Sequence, residues 1–106
     1  MSRESRALAA ICETWNVPPD VLLSRRRSAH LSQARAAAYF LLRTKLGYSL
    51  PQVGKVFDRH HTSILHTTRR FDVWRQREPL VRERYADALR RLSRGRQPKE
   101  MKNGND

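Results

Sequence analysis

The sequence predicts an all-α domain of about six helices, and three observations carry that expectation. Apolar residues recur at three- and four-residue spacing to about residue 93, and no alternating run reads as a strand. Prolines and capping residues interrupt the pattern at Pro18, Pro19, Ser49, Pro51 and Pro79, where helices should begin. The chain has 106 residues, which is enough for one hydrophobic core and too few for two.

Taken in order, residues 5–15 place Leu8, Ile11, Cys12 and Trp15 on one helical stripe, and Asn16-Val17-Pro18-Pro19 stops it. Cys12 lies on that stripe, so a buried structural thiol is expected rather than a reactive one. Asp20 is placed to cap a short turn, Val21-Leu22-Leu23, that runs into the basic loop SRRRS at 24–28. Between about residues 31 and 46, Leu31, Ala34, Ala38, Leu41, Leu42 and Leu46 share a face, and Gly47 follows where a C-terminal cap is expected. This longest helix should be the scaffold. Ser49 and Gln52 have capping-box spacing with Pro51 in the first turn, and the short helix that follows buries Leu50, Val53, Val56 and Phe57. Asp58-Arg59-His60 forms a polar turn. A helix from His61 puts Ile64, Leu65, Thr68 and Phe71 inward, with Val73 or Trp74 closing the stripe, and turns Thr62, Ser63, His66, Thr67 and Arg70 outward. Pro79 opens a last helix with Val81, Tyr85, Ala88, Leu89 and Leu92 inward, ending at Ser93. The domain is thus expected over 1–93, and 94–106 has almost nothing to bury and is expected to be a disordered polar tail.

Charge narrows the function. Twenty-two Lys and Arg against ten Asp and Glu give +12. Self-repulsion of that size implies a polyanionic partner, with nucleic acid first. The excess is nearly all arginine, whose planar fork suits phosphate and guanine. A membrane surface would call for a basic helix with an exposed aromatic face, and no run approaches the ~20 apolar residues of a span. A single cysteine makes no internal disulfide, and the N-terminus lacks the apolar segment of a signal peptide. The expected location is therefore cytoplasmic and nucleoid-associated. Neither GxxxxGK nor GxGxxG occurs, so no nucleotide is expected and no cofactor is implied.

The stretch DRHHTSILHTTRR, 58–70, concentrates histidines, hydroxyls and arginines. A short helix, a three-residue turn and a helix with a polar outer face make a helix-turn-helix, whose second helix enters the major groove. Gly54 fits that geometry because the two helices cross closely. An ordinary helical hairpin is the bland alternative. Thr62 and Ser63 stand at a helix N-terminus that attracts phosphate, and a threonine methyl can touch thymine. Zinc would need three or four converging ligands, but His61 and His66 are five apart and Cys12 is on a core face, so no metal site is expected. No carboxylate cluster or nucleophile accompanies the histidines, so no catalytic residue and no enzyme are expected either.

Residues 22–71 resemble the C-terminal DNA-binding domain of the bacterial chromosomal replication initiator family, DnaA. The matching pieces are RRR at 25–27, Arg35, SLPQVG at 49–54 and RHHTSILHT at 59–67. The resemblance implies a six-helix, Trp-repressor-like fold that binds a short duplex box. It implies Arg27 in the minor groove, Arg35 reading a base from the major groove, and Arg25 and Arg26 on the backbone. His61, Thr62, Ser63 and His66 match signature residues that touch bases and phosphates. With Ser49, Gln52, Arg59, His60, Thr67 and Arg70 they complete the expected DNA-binding surface. On this reading Arg35→Ala relaxes base preference, whereas Arg25→Ala weakens all sequences alike.

Three departures accompany the likeness. His60 stands where the family has an acid, and an acid would accept from cytosine N4 as a protonated histidine would not, so the preferred box is expected to differ there. The usual Gly-Gly turn is one residue shorter, leaving Asp58 and a slight offset of the recognition helix. The initiator's ATPase portion has no counterpart in these residues, so a stand-alone regulator of replication or transcription is expected. The alternative is a nonspecific DNA- or RNA-binding basic adaptor. Single-strand binders display stacking aromatics, and Tyr39, Tyr48 and Trp74 are the aromatics whose place the pattern leaves open.

Overall fold

The computed structural model describes residues 2–96. Six helices follow one another: α1 (Arg3–Trp15), α2 (Pro19–Leu22), α3 (Ala29–Lys45), α4 (Leu50–Phe57), α5 (His61–Arg77) and α6 (Pro79–Arg96). The protein is all-α, as the periodicity predicts. No helix among the described residues is long and apolar enough to cross a membrane.

α3 is the axis of the core. Every residue from 34 to 42 is buried, which requires neighbours on all sides: α1 packs on one flank, α4 and α5 on the other, and α6 closes against α1 and α5. Three consecutive alanines, Ala36, Ala37 and Ala38, let those neighbours approach closely. Phe40 of α3, Phe71 of α5 and Tyr85 of α6 meet with ring centroids 5.4 to 5.5 Å apart, joining three helices at one point. Truncating a buried phenylalanine of this kind costs about 3 to 5 kcal/mol. Trp15 is buried, and its indole N–H donates to Gln33 Oε1 at 2.9 Å. Cys12 is a free, buried thiol in the same core, as its stripe predicts, and burial followed by the neighbouring Glu13 pushes its pKa up.

Helix ends depart from the periodicity where exposed residues do the capping. α1 begins at Arg3 rather than Ser5, because the Ser2 side chain accepts from the Ser5 N–H. α2 is led by Pro18 and Pro19 and not by an Asp20 cap. α3 begins at Ala29 rather than Leu31, with Ser28 accepting from the Leu31 N–H. The last helix continues through 94–96, past the expected end at Ser93. The rest of the expected tail, 97–106, lies outside the described residues.

Tyr39 is buried edge-on against Phe57, 4.8 Å between centroids. Tyr48 donates its hydroxyl to Glu4 at 2.6 Å, tying the α3–α4 connection to the start of α1. Both therefore serve the fold, and neither is a free stacking platform.

Candidate nucleic-acid interface

α4, the turn 58–60 and α5 form the helix-turn-helix. Ser49 accepts from the Gln52 N–H while Gln52 Oε1 accepts from the Ser49 N–H, a complete capping box that fixes the start of α4. A Cβ added to Gly54 would lie 2.4 Å from the Arg59 carbonyl oxygen, and the Arg59 N–H donates to the Gly54 carbonyl at 2.8 Å. Only glycine allows the turn to lie this close to α4. Asp58 makes the reversal in the left-handed region at φ 56°. His60 then caps α5, its Nδ1 accepting from the Thr62 N–H at 3.1 Å, and its ring stacks on His61 at 4.3 Å.

The amphipathic pattern of α5 is met. Ile64 and Phe71 are buried, with Leu65, Thr68 and Trp74 half-buried beside them. His61, Thr62, Ser63, His66 and Arg70 are exposed and Thr67 half-exposed. Val73 faces solvent, so Trp74 closes the stripe.

Arg25, Arg26 and Arg27 stand exposed in the loop between α2 and α3. What holds that loop is Arg35. This residue is only 6% exposed, and its guanidinium donates to the carbonyls of Leu22 (2.8 Å), Arg26 (2.6 Å), Val21 (3.1 Å) and Ser24 (2.8 Å). Burial first, then the neighbouring Arg59, pulls its pKa down. The guanidinium that the resemblance would set against a base is engaged within the protein. Four of the five N–H groups a guanidinium offers are spent on main-chain carbonyls, which makes it a positioning residue for the loop.

Arg59 acts in the same way. It donates to the carbonyls of Phe57 (2.8 Å) and Asp58 (3.2 Å) and across to Ser24 (3.4 Å), so the turn and the basic loop are stitched together. Arg25 adds an exposed ion pair with Asp58. Ser49 and Gln52, expected at the interface, are exposed with their oxygens engaged in the cap.

Between loop and helix lies an open groove of about 300 Å³, lined by Arg27, Ser32, Tyr39, Ser63, Arg70 and Trp74 among others. Ser32 and Arg69 join the surface without having been singled out from the sequence, and Trp74, whose place the pattern leaves open, lines the groove as well. Exposed Arg69 adjoins Arg70, and helical position relative to Ser63 and Arg70 was the signal available for Trp74. His30, by contrast, is bonded to the Trp15 carbonyl at 2.6 Å. Among the described residues no group of three His, Cys, Asp or Glu side chains is placed to hold a metal ion.

A family model described as the bacterial dnaA protein helix-turn-helix matches residues 5–70. A chromosomal replication initiator protein DnaA of Mycoplasma genitalium is 40% identical over 60 residues, which make up 57% of this chain and 14% of that protein. The matched region runs from α1 into α5 and contains the loop, the turn and the exposed face described above.

Proposed function

Since the chain belongs to the bacterial DnaA helix-turn-helix family, we propose that it binds double-stranded DNA sequence-specifically at initiator-like boxes, as a regulator of replication or transcription. Arg27 enters the minor groove and the first turns of α5 enter the major groove. Thr62, Ser63 and His66 meet base edges and phosphates there, while Arg25, Arg26 and Arg70 hold the backbone.

The observation that carries this reading is the coupling of two segments far apart in sequence. Arg59 bonds both the turn before α5 and the carbonyl of Ser24, and Arg35 clamps residues 21–26 from below. A major-groove helix and a basic loop are thereby held as one surface, which suits a duplex presenting both grooves. A nonspecific basic adaptor would have no use for that registration. The family's helix-turn-helix supports DNA binding in replication initiation and a non-catalytic role.

Selection from randomised duplex DNA, at about 150 mM salt because phosphate contacts make affinity strongly salt-dependent, tests the reading. Enrichment of one box, with binding weakened on all sequences by Arg25→Ala and on the minor-groove bases by Arg27→Ala, is the expected result. Binding without an enriched sequence, or a preference for single strands, would replace it with the nonspecific adaptor.

A further inference from the structure

Building on that DNA-binding reading, we infer that His60 is a base-reading N–H donor, so that the base it faces must present a major-groove acceptor, guanine foremost, and cytosine is excluded there.

A hydrogen bond within the protein sets the ring's polarity. Because the Thr62 N–H donates to His60 Nδ1 at 3.1 Å, Nδ1 holds a lone pair and the proton of the neutral imidazole sits on Nε2. This bond is the N-cap of α5, made from extended backbone at φ −70° and ψ 144°, and it satisfies one of the first-turn N–H groups that a helix cannot pair internally. A proton on Nδ1 would abolish the cap. The stack on His61, 4.3 Å between centroids and 30° between planes, restrains the ring further. Nδ1 and Nε2 flank Cε1 and their in-plane bonding directions diverge widely, so anchoring one to the helix start turns the other away from it. His60 is exposed, and its Nε2 has no protein partner among the described residues.

A lone N–H donor is selective in the major groove. Guanine offers N7 and O6, adenine N7 and thymine O4, whereas cytosine presents the N4 amino group, so that donor would face donor. Guanine leads because both of its groove atoms accept. An aspartate here would cap α5 at least as well and would present carboxylate oxygens instead. His60 therefore keeps the cap and inverts the polarity of what the helix start asks of the base.

That inversion is the test. Native protein and His60→Asp are each used to select randomised duplexes at pH about 8, where free imidazole is neutral. The two enriched boxes are then cross-competed, so that the added negative charge cancels from the comparison. The expected result is the same box for both proteins except at one position, an acceptor base for the native chain and cytosine for the variant. The swap in relative affinity should be on the order of tenfold. An identical base in both boxes, or cytosine there for the native chain, overturns the inference and leaves sequence-specific binding standing. No enriched sequence with the native protein overturns both. Nitrogen NMR of the imidazoles in the free native chain needs no variant: His60 protonated on Nε2 is expected, and protonation on Nδ1 would refute the assignment.

Discussion

Arg35→Ala removes a guanidinium that donates to the carbonyls of Val21, Leu22, Ser24 and Arg26 at 2.6 to 3.1 Å. A hydrogen bond to a charged donor is worth about 1.5 to 3 kcal/mol net, so four independent ones would total about 6 to 12 kcal/mol. Two effects reduce that figure. Ser24 and Arg26 lie in a half-exposed to exposed loop, and their carbonyls can return to water. The native state also bears the cost of burying the cation, the same burial that pulls its pKa down. The carbonyls of Val21 and Leu22 then remain as the lasting loss, about 3 kcal/mol. For a domain of this size that lowers Tm by about 12 to 24 °C. Competition binding to duplexes differing at single base pairs, below the variant's Tm, should show affinity falling on every sequence and discrimination weakening where Arg27 meets the minor groove, because loop 25–27 has lost its support, while discrimination at the major-groove base pairs is kept. Arg35→Lys keeps the charge without the fork and should fall between. A Tm within about 2 °C of the native value, together with discrimination lost at one base pair, would mean that the guanidinium leaves the carbonyls to read a base, and the positioning role would be wrong.

Three further substitutions probe the turn and the far side of the fold. Gly54→Ala would ordinarily gain about 1 kcal/mol in a helix, but its Cβ would meet the Arg59 carbonyl at 2.4 Å. It should cost about 1 to 3 kcal/mol by thermal unfolding, and a stabilised variant would contradict the close approach. Asp58→Gly relieves about 1 kcal/mol of left-handed strain at φ 56° and loses an exposed ion pair worth about 0 to 1 kcal/mol, so a denaturant titration should find stability nearly unchanged. With Arg25 released and a negative charge gone, duplex affinity should rise on every sequence and the log–log salt slope should steepen by about one; weaker binding would argue against a DNA-facing Arg25. Asp87 is held below the usual carboxylate pKa, first by the hydrogen bond from Arg91, which also reaches Glu13 on α1. Its folded value lies below the unfolded one, so its contribution is present above the unfolded value and is lost as pH falls through the folded one. Melts of Asp87→Asn taken below about pH 4 should therefore fall less steeply with acid than native melts, and parallel curves would discount the ion pair.

Apolar periodicity found all six helices but set the starts of α1 and α3 two residues late, for one physical reason. The stripe records what is buried, while caps such as Ser2 and Ser28 sit in exposed first turns that carry no stripe. The outward face of α5 was legible because the same periodicity that buries Ile64 and Phe71 exposes Thr62, Ser63 and His66. Gly54 was legible from its place in a helix-turn-helix, and its close approach to the Arg59 carbonyl agrees. Arg35 was not. An arginine that clamps carbonyls and one that reads guanine look alike in sequence. Only the path of residues 21–26, which fold back over α3, distinguishes them.

The distribution of charge separates attraction from reading. Residues 22–71 hold ten Lys and Arg against a single acid, Asp58, while the remaining fifty-six residues hold twelve against nine. Of the net charge of +12, +9 is therefore concentrated on the loop, α3, α4 and the first ten residues of α5. A field so divided orients the molecule toward a polyanion before any base is met. Within the charged set, Arg35, Arg43 and Arg59 are occupied by main-chain carbonyls, whereas Arg25, Arg26, Arg27, Lys45, Lys55, Arg69 and Arg70 are exposed. On the proposed reading, the groups that discriminate bases around the start of α5 are not arginines: they include the hydroxyls of Thr62 and Ser63 and the Nε2–H of His60. Substituting a hydroxyl should therefore shift base preference at constant salt slope, whereas substituting Arg26 or Arg70 should reduce the slope by about one at constant preference. If a hydroxyl substitution moved the slope instead, the two functions would share the same groups, and the division drawn from the charge pattern would fail.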